Sequence, residues 1–174
     1  MKELLEKLNL LKIDDLEFDS ALSGGKASTT LVYKSSTESY IVKLLIAPRN
    51  EFELKRFNQE ADALKEIDKM IMALNEELHV PKLRIPFTQH NNLPIYYFVM
   101  EKVNGKRLDD VFKEKPLPWT WKDSIKMLFR IAFALKYIEL RFIHRDLHPL
   151  NIIVQDDFKY SKQNWMYSYS GIKI

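Results

Sequence analysis

The segment from Glu51 to Leu78 constrains the fold of this chain most, because it contains neither glycine nor proline. Its apolar side chains recur every three or four residues, as one buried face of a long helix requires. These side chains are Phe52, Phe57, Ala61, Leu64, Ile67, Ile71 and Leu74. Runs rich in β-branched and aromatic residues flank the segment on both sides, at Thr29–Lys34, Tyr40–Ile46, Lys82–Thr88 and Ile95–Val103. The pattern predicts strands around one long helix.

Helices dominate the second half of the chain. After the Asn104-Gly105 break, the pattern predicts a short helix over Leu108–Lys113 and a long one from Thr120 to Arg141. A short apolar strand is expected at Ile152–Val154. The side chains expected on the buried side of the second long helix are Ile125, Leu128, Phe129, Ala132, Leu135 and Ile138. This order of elements predicts an α+β fold with two unequal lobes that meet near Glu101–Gly105.

The N-terminal residues combine a helical pattern with a strand pattern. Leu4, Leu5, Leu8 and Leu11 stand at helical spacing and predict a short amphipathic helix over residues 1–12. The following run, Leu16–Leu22, has the character of a strand.

Composition excludes several classes of protein. The chain is 46% hydrophobic and 29% charged, which is sufficient for a buried core and typical of a soluble surface. The net charge of +3 is not concentrated in a basic stripe, so we expect no nucleic-acid partner. The absence of cysteine excludes disulfides, thiol catalysis and thiolate zinc sites. No uncharged run approaches the ~20 residues of a membrane span, so we expect a cytoplasmic protein with no membrane partner.

The segment Phe142–Asn151 (FIHRDLHPLN) carries the strongest motif in the chain. A His-Arg-Asp sequence ending at Asp146 is followed by four residues and then Asn151, which resembles the catalytic loop of kinases. In that chemistry an aspartate accepts the proton of the attacking hydroxyl, while an asparagine oxygen faces a metal ion that bridges the phosphates. One short loop between a helix and a strand can hold both groups, and the predicted elements provide that context.

On this motif the chain is identified as a member of the protein-kinase-like superfamily, and the resemblance spans nearly its whole length. It implies an α+β fold with an antiparallel five-stranded N-terminal sheet, one long helix and the first part of a mainly helical C-terminal lobe. The expected divisions are an N-terminal helical extension at 1–15, a nucleotide-binding N-terminal lobe at 16–103 and a partial C-terminal lobe with the catalytic loop at 104–174.

The resemblance also implies the roles of four site residues. Lys43 is the strand lysine that reaches the α- and β-phosphates of ATP, and its partner is a glutamate on the long helix. Glu60 is the expected partner, with Glu53 as the alternative. Asp146 orients and deprotonates the acceptor hydroxyl, and Asn151 is a ligand of Mg²⁺.

The Gly-Gly turn before Thr29 lies where the family has its phosphate-covering loop. Backbone N–H groups there must approach anionic oxygens, which favours small side chains. The match to G-x-G-x-x-G is poor, because the three glycine positions hold Gly25, Ala27 and Thr30. In its context the turn resembles the Ser-Gly-Gly variant of aminoglycoside and choline kinases. The residues implied to contact the nucleotide here are Gly24, Gly25, Lys26, Ala27 and Ser28.

The segment Phe98–Gly105 resembles the hinge between the lobes of a kinase. The resemblance implies that Met100 is the gatekeeper residue that packs behind the nucleotide. The backbones of Glu101 and Val103 are implied to hydrogen-bond the adenine edge.

The Asp-Phe-Gly motif of the family, which supplies a second metal ligand, is not present in this sequence. The printed sequence ends at Ile172-Lys173-Ile174, and the family pattern puts the aspartate about two residues farther on. Asp157-Phe158-Lys159 follows Asn151 too closely to replace it. We therefore expect this polypeptide alone to be inactive or nearly so, and to self-associate or bind a partner chain through the incomplete C-terminal lobe.

Three functions remain open on the sequence. The leading one is a Ser/Thr protein kinase domain, which uses ATP and Mg²⁺ and which Arg145 favours. The second is a small-molecule kinase of the aminoglycoside or choline type, which His148-Pro149 favours. The third is a non-catalytic kinase fragment that binds a nucleotide or a partner.

Overall fold

The computed structural model describes residues 2–22, 28–74, 81–114, 120–138, 149–154 and 172–173. The chain divides into two compact units. The first comprises Met1–Asp68 and Lys82–Lys102, and the second comprises Lys69–Pro81 and Val103–Ile174. None of the helices within the described ranges is both long enough and apolar enough to cross a membrane.

An antiparallel sheet forms the centre of the first unit. Its six strands are β1 (Lys12–Ile13), β2 (Leu16–Ala21), β3 (Thr29–Lys34), β4 (Ser39–Ile46), β5 (Leu83–Gln89) and β6 (Ile95–Glu101). They are ordered β1-β2-β3-β4-β6-β5, and each pair of neighbours is antiparallel. The sequence-based expectation of five strands is therefore wrong. The additional strand is β1, whose two residues are too few to give a periodic pattern.

The N-terminal helix is shorter than its leucine pattern predicts. Helix α1 spans Lys2–Lys7 instead of residues 1–12. Asn9 has a left-handed backbone with φ of 54°, a conformation that ends a right-handed helix. The chain then turns, and Lys12 and Ile13 pair with Glu17 and Leu16 of β2. Leucines 8 and 11 still pack on the sheet, but from a turn and not from a helix.

Both faces of the sheet carry apolar clusters, because side chains alternate between faces along each strand. Helix α2 (Glu51–Leu74) covers one face, where Leu45 of β4 and Phe98 of β6 pack against Phe57 and Ala61. The N-terminal residues cover the other face. The buried cluster there comprises Leu5, Leu10, Ile13, Leu16, Leu31, Tyr33, Val42, Leu44, Ile95 and Val99.

Helix α2 begins at Glu51 as predicted, but one member of its predicted buried face is exposed. Phe57, Ala61 and Ile67 are buried, whereas Phe52 is 68% exposed. Phe52 lies nine residues before Ala61, about two and a half helical turns, so the two side chains lie on opposite sides of the helix. The side chains of Ile71 and Leu74 lie outside the described residues.

Within its larger segment, the described residues of the second unit form a small sheet, two helices and a 3₁₀ turn. Strands β7 (Lys106–Arg107), β8 (Ile153–Val154) and β9 (Ile172–Lys173) are antiparallel neighbours in that order. The helices are α3 (Leu108–Lys113) and α4 (Trp121–Ile138), and the 3₁₀ turn is Pro149–Asn151. Their common core comprises Leu108, Val111, Met127, Ile131, Ile152 and Val154.

The buried side of α4 differs from the predicted one. Met127 and Ile131 are buried and Leu135 packs partly against them. In contrast, Ile125, Leu128 and Phe129, which were expected to be buried, are exposed, as is Ala132. The helix carries apolar residues on two sides, and spacing alone does not indicate which side contacts the core. The side chain of Ile138 lies outside the described residues.

Candidate active site

Lys43 and Glu60 form an ion pair on the face of the sheet that α2 covers. Lys43 lies in the middle of β4, where its backbone is in register with Thr30 of β3 and Phe98 of β6. Its Nζ donates a hydrogen bond to Oε1 of Glu60. The side chains are 24% and 44% exposed, so solvent reaches the pair. The arrangement holds an ammonium group at a fixed point on a central strand, where it can bind an anion.

The start of α2 explains why Glu60, and not Glu53, pairs with Lys43. The side-chain oxygen of Asn50 accepts a hydrogen bond of 2.9 Å from the Glu53 N–H. The Glu53 carboxylate in turn accepts bonds from the Arg49 N–H at 2.8 Å and from Arg49 Nη2 at 2.9 Å. This arrangement resembles a capping box, except that the Glu53 carboxylate bonds the N–H of Arg49 and not that of Asn50. The Arg49 side chain and its N–H lower the pKa of Glu53, so the carboxylate stays ionised.

We expect Asn50→Ala to lower the free energy of unfolding by about 1 kcal/mol, because the Glu53 N–H loses its acceptor. The matched control is Asn58→Ala in the same helix. Since alanine has the higher helix propensity, that change is expected to be neutral or slightly stabilising. Urea unfolding followed by circular dichroism measures both. Equal losses in the two variants would show that the side chain of Asn50 does not cap α2.

The residues predicted to form the hinge lie at and just after the end of β6. Met100 is half-buried and packs against the cluster under α2. The Glu101 N–H donates a 2.8 Å hydrogen bond to the Lys82 carbonyl, and the Glu101 carboxylate accepts one of 3.3 Å from the Lys82 N–H. An adenine contact from Glu101 therefore has to use its carbonyl oxygen and not its N–H. Val103 is half-buried and is the first residue of the second unit's larger segment.

Other predicted site residues fall partly outside the described part of the chain. Asp146, Gly24, Gly25, Lys26 and Ala27 lie outside it, as do Asp157-Phe158-Lys159 and the other members of the His-Arg-Asp motif. Ser28 is half-buried directly before β3, and Asn151 is exposed at the end of the 3₁₀ turn. Among the described residues, no group of three or more His, Cys, Asp or Glu side chains could hold a metal ion.

The residues that place α2, Arg49 and Asn50, were not predicted from the sequence. Glu53 was considered only as the alternative partner of Lys43. The signal was present, because an asparagine followed three residues later by a glutamate is typical of a helix start.

Comparisons with known proteins agree on one family. The sequence model of the family "Protein tyrosine and serine/threonine kinase" matches residues 22–162. Serine/threonine-protein kinase D of Synechocystis sp. is 26% identical in an alignment of 160 residues that covers 86% of this chain and 29% of that protein. A probable serine/threonine-protein kinase of Clostridium perfringens is 31% identical in an alignment of 141 residues that covers 76% of this chain and 19% of that protein.

A third relative, serine/threonine-protein kinase DCLK1 of Rattus norvegicus, is 28% identical over 72% of this chain and 26% of its own length. This chain thus spans less than a third of each of these three relatives. Among solved structures, the crystal structure of a kinase domain matches with a TM-score of 0.63 at 19% identity. The match covers 84% of this chain and 41% of the kinase-domain chain in that crystal structure. At this level of identity it shows the fold alone. The chain therefore belongs to the protein tyrosine and serine/threonine kinase family.

Proposed function

We propose that this chain is the nucleotide-binding part of a serine/threonine protein kinase, which transfers the γ-phosphate of ATP to a hydroxyl group. The ion pair between Lys43 and Glu60 is the observation that carries the proposal. It holds a lysine ammonium on a central strand with a carboxylate that fixes its position. This is the pairing that phosphoryl transfer by protein kinases requires of a strand lysine and a helix glutamate.

The proposed roles of the other residues follow the chemistry of phosphoryl transfer. The Lys43 ammonium binds the α- and β-phosphates, and the backbone of Gly24–Ser28 covers them. Asp146 orients the acceptor hydroxyl and takes its proton. The carbonyl oxygen of Glu101 and the backbone of Val103 bind the adenine edge next to Met100. Positioning and charge stabilisation supply nearly all of the catalysis in this reaction class.

Magnesium binding is the least complete part of the proposed site. Mg²⁺ neutralises charge on the phosphates and prefers six oxygen ligands in octahedral geometry. Asn151 would contribute one amide oxygen. The remaining ligands have to come from the nucleotide, from water and from a carboxylate, so the affinity for Mg²⁺ should depend on bound nucleotide.

The acceptor is proposed to be a protein. The three relatives described above are named serine/threonine-protein kinases, which supports a protein hydroxyl as the acceptor.

Exposed apolar side chains on α4, including Ile125, Leu128 and Phe129, support the expectation of self-association or a partner chain, which stays a prediction. A cytoplasmic location also stays a prediction.

Nucleotide binding tests the proposal directly. We expect ATP with Mg²⁺ to raise the melting temperature of the chain in a concentration-dependent way, because a ligand of the folded state stabilises it by mass action. Lys43→Met should raise the Kd for ATP about tenfold or more, since a hydrogen bond between charged groups is lost.

The matched control is Lys34→Met, which removes a lysine from an exposed ion pair with Asp19 on the same sheet. We expect it to leave the Kd unchanged. A wild-type chain that ATP does not stabilise, or a Lys43→Met variant that binds ATP as tightly as wild type, would contradict the proposal.

Transfer of labelled phosphate distinguishes the three functions when it is measured on a protein that also carries an Asp-Phe-Gly motif, which this sequence lacks. Labelling of casein supports the protein kinase, whereas labelling of an aminoglycoside or of choline supports the small-molecule kinase. Stabilisation by ATP without transfer to any of the three acceptors supports a nucleotide-binding module.

A further inference from the structure

Residues 2–15, which we call the N-terminal strap, precede the family match yet share a core with the sheet. Leu5 and Leu10 are fully buried and Ile13 is nearly so. They pack with residues of three central strands, namely Leu31 and Tyr33 of β3, Val42 and Leu44 of β4, and Ile95 and Val99 of β6. Removing the strap would expose this apolar face to water. The strap is therefore an integral part of the first unit.

Buried polar contacts hold the middle of the strap. The hydroxyl of Tyr33 in β3 donates a hydrogen bond to the carbonyl of Leu10, and the contact is buried. Burial raises the pKa of Tyr33, so the phenol keeps its proton and continues to donate at neutral pH. Nearby, Nε2 of His90 lies 3.0 Å from the Leu8 carbonyl oxygen. These contacts satisfy the backbone carbonyls of Leu10 and Leu8, which come after the end of helix α1.

An ion pair holds the end of the strap. Nη2 of Arg84 donates to both carboxylate oxygens of Asp15, at 2.7 and 2.9 Å. Arg84 belongs to β5 at one edge of the sheet, whereas Asp15 lies in the turn between β1 and β2 at the other edge. The same guanidinium lies 4.2 Å from the ring centroid of Tyr40 at the start of β4. The strap is thus fastened across the width of the sheet.

The strap and Lys43 contact opposite sides of the same strand. Val42 and Leu44 point into the cluster that the strap covers, while Lys43 between them pairs with Glu60 on the other face. Val42, Lys43 and Leu44 are attached to one stretch of backbone. A shift of β4 towards the strap therefore moves all three side chains together. Packing of the strap therefore limits where the Lys43 ammonium can lie.

We propose that the N-terminal strap is a positioning element for Lys43, held closed by the contacts of Tyr33 with Leu10 and of Arg84 with Asp15. The proposal rests on the function proposed above, in which Lys43 binds the phosphates. When the strap opens, Val42 and Leu44 lose the packing behind β4, and the pairing of Lys43 with Glu60 loosens. Affinity for nucleotide then falls while the rest of the sheet stays folded.

Tyr33→Phe tests the proposal in the full chain, because it removes one hydroxyl and keeps the ring. Leaving a buried carbonyl without its donor should favour strap opening at least about fivefold. We expect amide hydrogen exchange in β1 and β2 to accelerate by that factor. Acetylation of Lys43 by acetic anhydride, read by mass spectrometry, should also accelerate, and the Kd for ATP should rise by the factor by which the closed fraction falls.

Tyr96→Phe is the matched control, since it removes a hydroxyl from β6 and keeps the ring that stacks on Phe87 in the cluster under α2, outside the strap. We expect it to change none of the three quantities by more than about twofold. If the strap only stabilised the fold, Tyr33→Phe would lower the free energy of unfolding but leave the Kd of the folded protein for ATP unchanged. Faster exchange in β1 and β2 with unchanged acetylation of Lys43 would therefore overturn the proposal.

A second pair of variants decides the question if Tyr33→Phe does not fold. Asp15→Asn removes the charge that Arg84 binds, and Asp19→Asn removes the charge of an ion pair outside the strap. Only Asp15→Asn should accelerate acetylation of Lys43, and equal effects would overturn the proposal. Acetylation needs no nucleotide, so it still reports on the strap if the wild-type chain fails to bind ATP, a result that would count against the proposed function alone.

Discussion

Replacing Phe98 with alanine is expected to lower the free energy of unfolding by about 3–5 kcal/mol, a large fraction of the stability of an ordinary domain. Phe98 is 0% exposed. Its ring lies 5.1 Å from the ring of Phe57 between centroids, in the cluster that holds α2 on the sheet. Alanine leaves a cavity that the central strand β6 cannot close, because β4 and β5 flank it on both sides. Urea unfolding followed by circular dichroism measures the loss.

Phe52→Ala is the control for that variant, since it makes the same chemical change in α2 at a site that is 68% exposed. The side chain contributes one cation–π contact, with Arg56 at 5.9 Å, of the weak class found at exposed sites. Alanine also has the higher helix propensity. We expect a change within about 0.5 kcal/mol. A loss of several kcal/mol would show that Phe52 belongs to the buried face of α2, as its spacing alone predicts.

Most strands and helices could be predicted because their patterns are long and end at turn residues. Strand β3 and helix α3 have the predicted bounds, and α2 starts at the predicted residue. Strand β1 could not be found, because a two-residue strand exists only through its pairing with β2. The end of α1 was missed for a different reason. The leucine spacing continues past Lys7, while the left-handed conformation of Asn9 breaks the helix.

The same distinction applies to the candidate site, where some residues could be predicted from the sequence and others act through contacts that only the tertiary structure shows. The family resemblance implied Lys43 as the phosphate-binding lysine and Glu60 as its partner, with Glu53 as the alternative. Spacing alone does not separate the two glutamates, since both stand on α2. The choice depends on Arg49 and Asn50, which engage Glu53 at the helix start and leave Glu60 to reach β4. The contacts that hold the strap on the sheet were not predicted either, because no local pattern shows that the Tyr33 hydroxyl bonds the carbonyl of Leu10.

Neighbouring residues of α4 provide the second large expected effect. Met127→Ala should lower the free energy of unfolding of the second unit by about 2–5 kcal/mol, because Met127 is 4% exposed and packs in the core with Ile131 and Val154. Leu128→Ala removes a side chain of similar size that is 62% exposed, and should change stability by no more than about 0.5 kcal/mol. Both variants place alanine in the same helix, so propensity contributes little to the contrast. Hydrogen exchange of the α4 amides measures the loss within this unit alone. A larger loss for Leu128→Ala than for Met127→Ala would mean that the side of α4 predicted from spacing is the buried one.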